Sequence, residues 1–424
     1  MSALPTSMNF SERIRAKGVG AAKETLTIAP NNGPTYNLGT GMMQFEIPGG
    51  QLGKYADFSS LYVACDITNG DASANIFNHI GSMALVNRLV VTTNTNKQFC
   101  DISYKNMLDA IMVAKQGDSA WLNTNANIMF GCGSSAIEGY TFGIGATARF
   151  LIPLSLIGID SMMFPLSSQE NLRFQIYLEQ AYNVFNDQSV GITNANITIS
   201  NAYLHYDTVQ LTMEEDRALI KDFDGMLVIT APCWAQLDTT IPLLSTATSI
   251  NLGFSKKRAK RLLIAQRNTT SFNTMANANK CHYCMDQGGA TEFSLKLNGK
   301  EVKTQAYSLT NGGPEFFAES IKSNGGRILD IHPSNSTRAT YIVVETAAGA
   351  TDGESGRFFV EFDLQNGLEN VEGTIINGIN VINGNFTLAI KRSATTNDRY
   401  VNIYLEYWSD FVLNAATGVW DIYS

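Results

Sequence analysis

Apolar side chains recur along most of this chain at alternate positions, the period of a strand with one buried face. Met43, Phe45 and Ile47 alternate with Gln44 and Glu46 until Pro48-Gly49-Gly50 stops the run. Leu61, Val63, Cys65 and Ile67 alternate with Tyr62, Ala64 and Asp66 and end before Asn69-Gly70. Arg88-Leu89-Val90-Val91-Thr92 is a β-branched run followed by an Asn/Thr turn. The period then changes: Met107, Leu108, Ile111 and Met112 share a helical face, with Ser103 expected as its cap. The second half keeps this order. Phe293, Leu295 and Leu297 mark a strand, and Asn298-Gly299 predicts a type I′ hairpin, whose two central positions both need positive φ. Val302 and Gln305 then lead to a helix opened by Pro314, a residue suited to the first helical position. The remainder reads as short strands between turn residues, which predicts sandwiches or barrels rather than strand–helix alternation.

Residue identity also suggests a repeat. Arg149-Phe150-Leu151-Ile152-Pro153-Leu154-Ser155-Leu156 resembles Arg357-Phe358-Phe359-Val360-Glu361-Phe362-Asp363-Leu364, 208 positions later (149 to 357). Asn171-Leu172-Arg173-Phe174-Gln175-Ile176 resembles Asn385-Phe386-Thr387-Leu388-Ala389-Ile390, 214 later (171 to 385). Tyr203-Leu204-His205-Tyr206 resembles Tyr404-Leu405-Glu406-Tyr407, 201 later (203 to 404). Each match is short; their shared order and nearly shared offset carry the argument. A period near 200 residues is far longer than a solenoid unit and predicts a duplicated domain.

Composition narrows the role. A chain of 424 residues with 44% hydrophobic content can build a core in each half. Charged residues make up only 16%, against about 25% in ordinary soluble domains. A surface rich in Asn, Thr, Ser and Gly suits packing against further copies, because an unpaired charge is costly to desolvate in an interface. The net charge of −8 argues against nonspecific nucleic-acid binding by the whole surface. Residues 1–40 are polar, Gly/Asn-rich and non-periodic, and are expected to form an arm; Arg13, Arg15, Lys17 and Lys23 make it locally basic. The first thirty residues lack the apolar run of a secretion signal. Cys65, Cys100, Cys132, Cys233, Cys281 and Cys284 are scattered, which predicts free thiols.

No catalytic, cofactor or metal constellation emerges. The four histidines, His79, His205, His282 and His332, lack partners at informative spacing. Cys281-His282-Tyr283-Cys284 is a single C-x-x-C without the second knuckle of a structural zinc site. Gly143-Ile144-Gly145 precedes a strand rather than the helix a phosphate loop requires. Met213-Glu214-Glu215-Asp216-Arg217 is a charge cluster at the join of the halves, read as a solvated linker or short helix.

Four stretches together resemble the double jelly-roll major capsid proteins, the lineage of adenovirus hexon, tectivirus-like phages, polintons, virophages and large nucleocytoplasmic DNA viruses. The first is the Val86-Asn87-Arg88-Leu89 strand followed by Asp101-Ile102-Ser103-Tyr104 and Leu108. The second joins Ile152-Pro153-Leu154, Phe164-Pro165-Leu166 and Leu172-Arg173-Phe174. The third is Tyr203-Leu204-His205-Tyr206 with Glu215 and Arg217, and the last runs from Tyr404-Leu405-Glu406-Tyr407 to Gly418-Val419-Trp420. The resemblance implies an all-β chain of two tandem eight-stranded jelly-roll sandwiches with short helices in the connections. Its expected division is an arm at 1–40, a first roll at 41–212, a linker at 213–222 and a second roll at 223–424. It further implies a homotrimer imitating a hexagon, neighbouring capsomers, penton and minor or cement proteins as partners, residence in the virion, no enzymatic activity and no cofactor. The basic arm would then face inward, toward genome or an internal membrane. Two rivals remain: a two-domain β-sandwich spike or carbohydrate/receptor-binding module, and a cupin-like enzyme, which would need clustered His and Glu ligands.

Overall fold

The computed structural model describes residues 22–133, 139–161, 163–187, 192–222, 225–269, 283, 285–302, 307–309, 313–322, 336, 341, 356–365, 378–393, 395 and 397–423. Eight principal strands build the first half: β1 (Ala22–Ile28), β2 (Met42–Ile47), β3 (Lys54–Asn69), β4 (Val86–Thr93), β5 (Gln98–Ser103), β6 (Thr147–Pro153), β7 (Leu172–Leu178) and β8 (Ile197–Gln210). Eight more build the second: β9 (Met226–Ile241), β10 (Ala247–Asn251), β11 (Ala259–Asn268), β12 (Ala290–Leu297), β13 (Lys300–Glu301), β14 (Phe359–Asp363), β15 (Phe386–Arg392) and β16 (Arg399–Asn414). A final strand, β17 (Val419–Tyr423), pairs with β16.

The two halves have the same topology. In the first, one sheet runs β1-β8-β3-β6 and the other β2-β7-β4-β5. In the second, the sheets run β9-β16-β11-β14 and β10-β15-β12-β13. Each strand therefore corresponds to the strand eight places later, and every named pairing is antiparallel. The three sequence matches fall on β6 and β14, β7 and β15, and β8 and β16. Among the described residues no strand pairs across the two halves.

Register explains why these positions match. Phe174 of β7 lies between Phe45 of β2 and Val91 of β4, and all three are fully buried. Its counterpart Leu388 of β15 lies between Ile250 of β10 and Leu295 of β12, also buried. From the facing sheet, the Phe58 ring meets Phe174 edge-on at 5.8 Å. Each pair of sheets thus closes over its own apolar layer, the arrangement of a sandwich.

Three helices matter to the architecture. Helix α1 (Lys105–Gln116) follows β5, α2 (Met213–Asp222) joins the rolls, and α3 (Pro314–Lys322) comes after β13 in chain order as α1 comes after β5. Asn298 and Gly299 have φ of 53° and 78°, as the type I′ turn between β12 and β13 requires. Ser103 does not cap α1: it ends β5, and the N-cap is Tyr104 in the left-handed region at φ 49°, without a side-chain cap. The stretch read from sequence as part of the arm also contributes β1, whose Ala22 pairs with Gln210 and Ile28 with Leu204. Only Leu26 and Ile28 of this edge strand pack on the core, so its apolar period is too weak to see.

The central position of each sheet sets a test. Phe174→Ala is expected to cost about 3–5 kcal/mol and Leu388→Ala about 2–5 kcal/mol, as buried truncations that leave cavities do. Urea unfolding measures both, and a loss below 1 kcal/mol at either position would contradict the packing described.

The interface between the two rolls

The first roll is fastened to the second by α1 and β5, which lie against the outward face of β9-β16-β11-β14. Helix α1 shows the consequence in its burial: every residue from Lys105 to Lys115 except Met112 is buried. A surface helix normally buries one stripe. Here both rolls reach the helix, Asn106 donating to the Ala84 carbonyl of its own roll at 3.3 Å and Lys115 meeting the second, and the charged residues are buried too.

Buried charges must be paired. Lys105 places its ammonium 2.7 Å from both carboxylate oxygens of Asp109, one helical turn on. Burial still pushes the Asp109 carboxyl above its ordinary value, opposed by Lys105. Lys115 crosses to the second roll and meets Glu361 of β14 at 2.6 and 2.8 Å. Glu361 also lies 3.4 Å from Arg261 of β11. Arg261 in turn binds Glu406 of β16 through its Nε, and Lys260 stands 3.4 Å from the same carboxylate. The Arg261 guanidinium lies over the Trp234 ring at 5.4 Å, and the Lys260 ammonium over Trp408 at 4.9 Å. Burial pushes the Lys115 ammonium down to about 8, against the pull of Glu361 in the other direction.

Further contacts flank this network. Tyr404 Oη donates to the Tyr104 carbonyl at 2.8 Å. Asn106 Nδ2 donates to Tyr283 Oη of the second roll and to Glu179 Oε2 of its own, each at 2.8 Å. An aromatic cluster completes the seam: Phe99 of β5 packs on Phe411 at 5.0 Å and Trp420 at 5.4 Å, and Phe164 stacks on Trp420 at 4.9 Å. The Trp420 amide donates to Glu170 Oε2 at 3.1 Å, Ser168 Oγ donates to the Gly418 carbonyl at 2.9 Å, and Lys97 reaches the Trp420 carbonyl and Asp421. The end of the second roll is thereby strapped across the first.

The candidate residues singled out from sequence lie elsewhere. Lys23 sits on β1, with its ammonium 2.8 Å from Asp207, whose other oxygen accepts from Thr25 at 2.7 Å. That hydrogen bond with Asp207 raises the pKa of Lys23. Arg13, Arg15 and Lys17 lie outside the described residues, as do Cys281 and Cys284. Cys65, Cys100, Cys132 and Cys233 are free and buried. Among the described residues no three His, Cys, Asp or Glu side chains are grouped to hold a metal ion, and no helix is long and apolar enough to cross a membrane. Reading motifs missed Lys115, Arg261, Glu361 and Glu406. Their signal was the charge itself, set in a helix and in strands among core residues.

Two sandwiches of one topology, joined side by side through a buried seam, define a double jelly-roll fold. No protein-family model and no curated protein matches the sequence. The fold is similar to that of PBCV-1 VP54, as fitted into a cryo-EM reconstruction of the virophage Sputnik: the TM-score is 0.65 at 10% identity, over 95% of this chain and 97% of that one. The Faustovirus major capsid protein superposes with a TM-score of 0.62 at 10% identity, over 92% and 90% of the two chains. For the mavirus major capsid protein the values are 0.50 and 12%, over 100% and 95%. At such identities the shared property is the fold.

Two outcomes test the seam. Glu361→Gln leaves Lys115 and Arg261 without their shared carboxylate and is expected to destabilise the protein by about 3–5 kcal/mol, whereas Lys115→Met combined with Glu361→Leu should recover most of that loss. Urea titrations of the single and double variants decide it. The second outcome concerns pH. Burial raises the Cys65 and Cys233 thiols from 9.0 to about 12. Their protonated form is favoured in the folded state, so this stability is complete below pH 9 and is lost as pH climbs toward 12. The double variant Cys65→Ala, Cys233→Ala should show a shallower fall in urea midpoint between pH 8.5 and 10.5 than the parent.

Proposed function

We propose that this chain is a viral major capsid protein, of which three copies close into a pseudo-hexagonal capsomer that tiles an icosahedral shell. One observation carries the reading: equivalent faces of the two rolls are treated differently. In the second roll the outward face is covered at the central strands β16 and β11, where Tyr404 is 0% exposed, although the edge strand β9 keeps Met226 and Val228 half exposed. In the first roll the equivalent face of β1-β8-β3-β6 is open, and Tyr203, the counterpart of Tyr404, is 42% exposed. Around it lie Tyr62 stacked on His205 at 4.9 Å, and Arg149 joined to Asp66 at 2.7 Å. Tyrosine and arginine are the residues most often found where surfaces bind.

A roll that binds the next roll through unlike surfaces forms a heterologous contact, which closes into a ring when the rotation allows. Repeating the internal contact between chains would seat one chain's second roll on the open face of the next chain's first roll. Six rolls from three chains then make a near-hexagonal tile. The similarity of the fold to the Faustovirus and mavirus major capsid proteins supports the same role. The chain would reside in the virion, contact neighbouring capsomers, penton and minor capsid proteins, and act without catalysis or cofactor. An arm bearing Arg13, Arg15, Lys17 and Lys23 would face the interior, toward genome or membrane, with Lys23 contributing from its place on β1.

Native mass spectrometry of the purified chain tests the proposal, with a trimer as the expected dominant species. Tyr203→Lys places an unpaired cation in the contact and is expected to weaken the trimer at least tenfold while leaving the thermal melting of the monomer unchanged. A parent protein that stays monomeric at micromolar concentration would favour the spike or receptor-binding alternative and overturn the proposal.

A further inference from the structure

Of all the residues in α1, only Met112 and Gln116 are not buried. With Asp109 and Val113 they form one helical stripe, and that stripe faces a cavity of about 580 Å3. The remaining wall comes from Met83, Trp121, Phe130, Pro153 and Leu156, with Gly117, Asp118 and Ser155 at its edges. The volume falls within the roughly 300–1,000 Å3 of small-molecule sites, and an apolar lining with few polar groups is their usual composition. The two methionines are flexible and polarizable and adapt to an apolar chain. Leu156 is held at φ +67°, a conformation rare for a leucine, with its amide donating to Asp160 Oδ2 at 2.8 Å. Backbone strain of this kind clusters at ligand clamps.

Charge selects the ligand further. Asp109 and Asp118 line the cavity, and among the described residues no lysine or arginine does. Lys105 is engaged with Asp109 from within the helix, and Asp118 Oδ1 accepts the Ala120 amide at 3.2 Å as the cap of a short helix. A carboxylate head group would meet like charge here. An ammonium head group would meet Asp118 at the mouth while its chain lay along Trp121, Phe130 and Met83.

We infer that this cavity is a binding site for a single-chain cationic amphiphile, an aliphatic chain carrying an ammonium head. The test is titration of the full chain with decylammonium chloride, decanol and sodium decanoate, each below its micellar concentration, followed by Trp121 emission and by calorimetry. Decylammonium is expected to bind saturably at one site per chain, at least tenfold more tightly than decanoate. Asp118→Asn keeps the helix cap, since asparagine caps as well as aspartate, and should reduce the preference for decylammonium over decanol at least threefold. Met112→Arg should weaken decylammonium at least tenfold; Gln116→Lys, at an exposed position, provides the same test if the first variant folds poorly. Trp121→Phe should remove the emission change and leave the calorimetric signal. Absence of saturable decylammonium binding, equal or tighter binding of decanoate, or indifference to a new cation at both 112 and 116 would overturn the inference.

Discussion

The structure turns on one strand that is buried on both faces. Strand β11 has no exposed residue: one side lies on the core of its own roll, and on the other Arg261 reaches the same Glu361 carboxylate that Lys115 of α1 meets. A strand in that position cannot keep water on its polar side chains. Its Arg261 therefore finds Glu361 and Glu406, and Glu361 finds Lys115 across the seam. Such pairs add little net stability compared with apolar residues of the same shape, since desolvation offsets most of the attraction. What they add is direction: only one placement of α1 brings an ammonium to Glu361. A purely apolar seam would tolerate sliding, whereas a seam with matched buried charges has a single register.

That register gives the duplicated fold its asymmetry. The two rolls share topology and inward-facing positions, as Phe174 and Leu388 show. They diverge on the outward face, where His205 stands at the position of Glu406 and Pro153 at that of Glu361. Selection for a common core keeps the inner face alike; different neighbours make the outer face differ. The first roll's outer face retains aromatic and polar groups suited to a contact that forms and is checked, with Tyr62 against His205 and Arg149 against Asp66.

Much of this was legible in the sequence, and the reasons are physical. Alternation is visible where one face is wet, so the strands containing Met43, Phe45 and Ile47, or Leu61, Val63 and Ile67, stood out. The repeat was visible because core positions in equivalent strands require similar shapes. The Asn298-Gly299 turn was readable because few residues accept two consecutive positive φ values. Other features left a fainter trace. Strand β1 buries little, so its sequence has little apolar period. The cap of α1 was misread because Tyr104 enters the helix from the left-handed region, and its carbonyl is held by Tyr404, 300 residues away, rather than by a local side chain. The charges of the seam gave no motif at all: their partners come from the other roll, and no local spacing relates Lys115 to Glu361.

The last strand shows how the two rolls are held together. Trp420 of β17 belongs to the second roll by hydrogen bonding, yet its ring stacks on Phe164 and meets Phe99 of the first. Its amide and carbonyl are both held from the first roll, by Glu170 and Lys97. This strap lies beside the aromatic cluster, while the Lys115–Glu361 contact pins α1 at a separate point on the same sheet. Two attachments at different points prevent one roll from rocking on the other, as a hinge through either point alone would allow. In a flat lattice, small angular errors accumulate from tile to tile. The proposed tile would require the two halves to stay at a fixed angle, and buried ion pairs and a clamped tryptophan supply that rigidity.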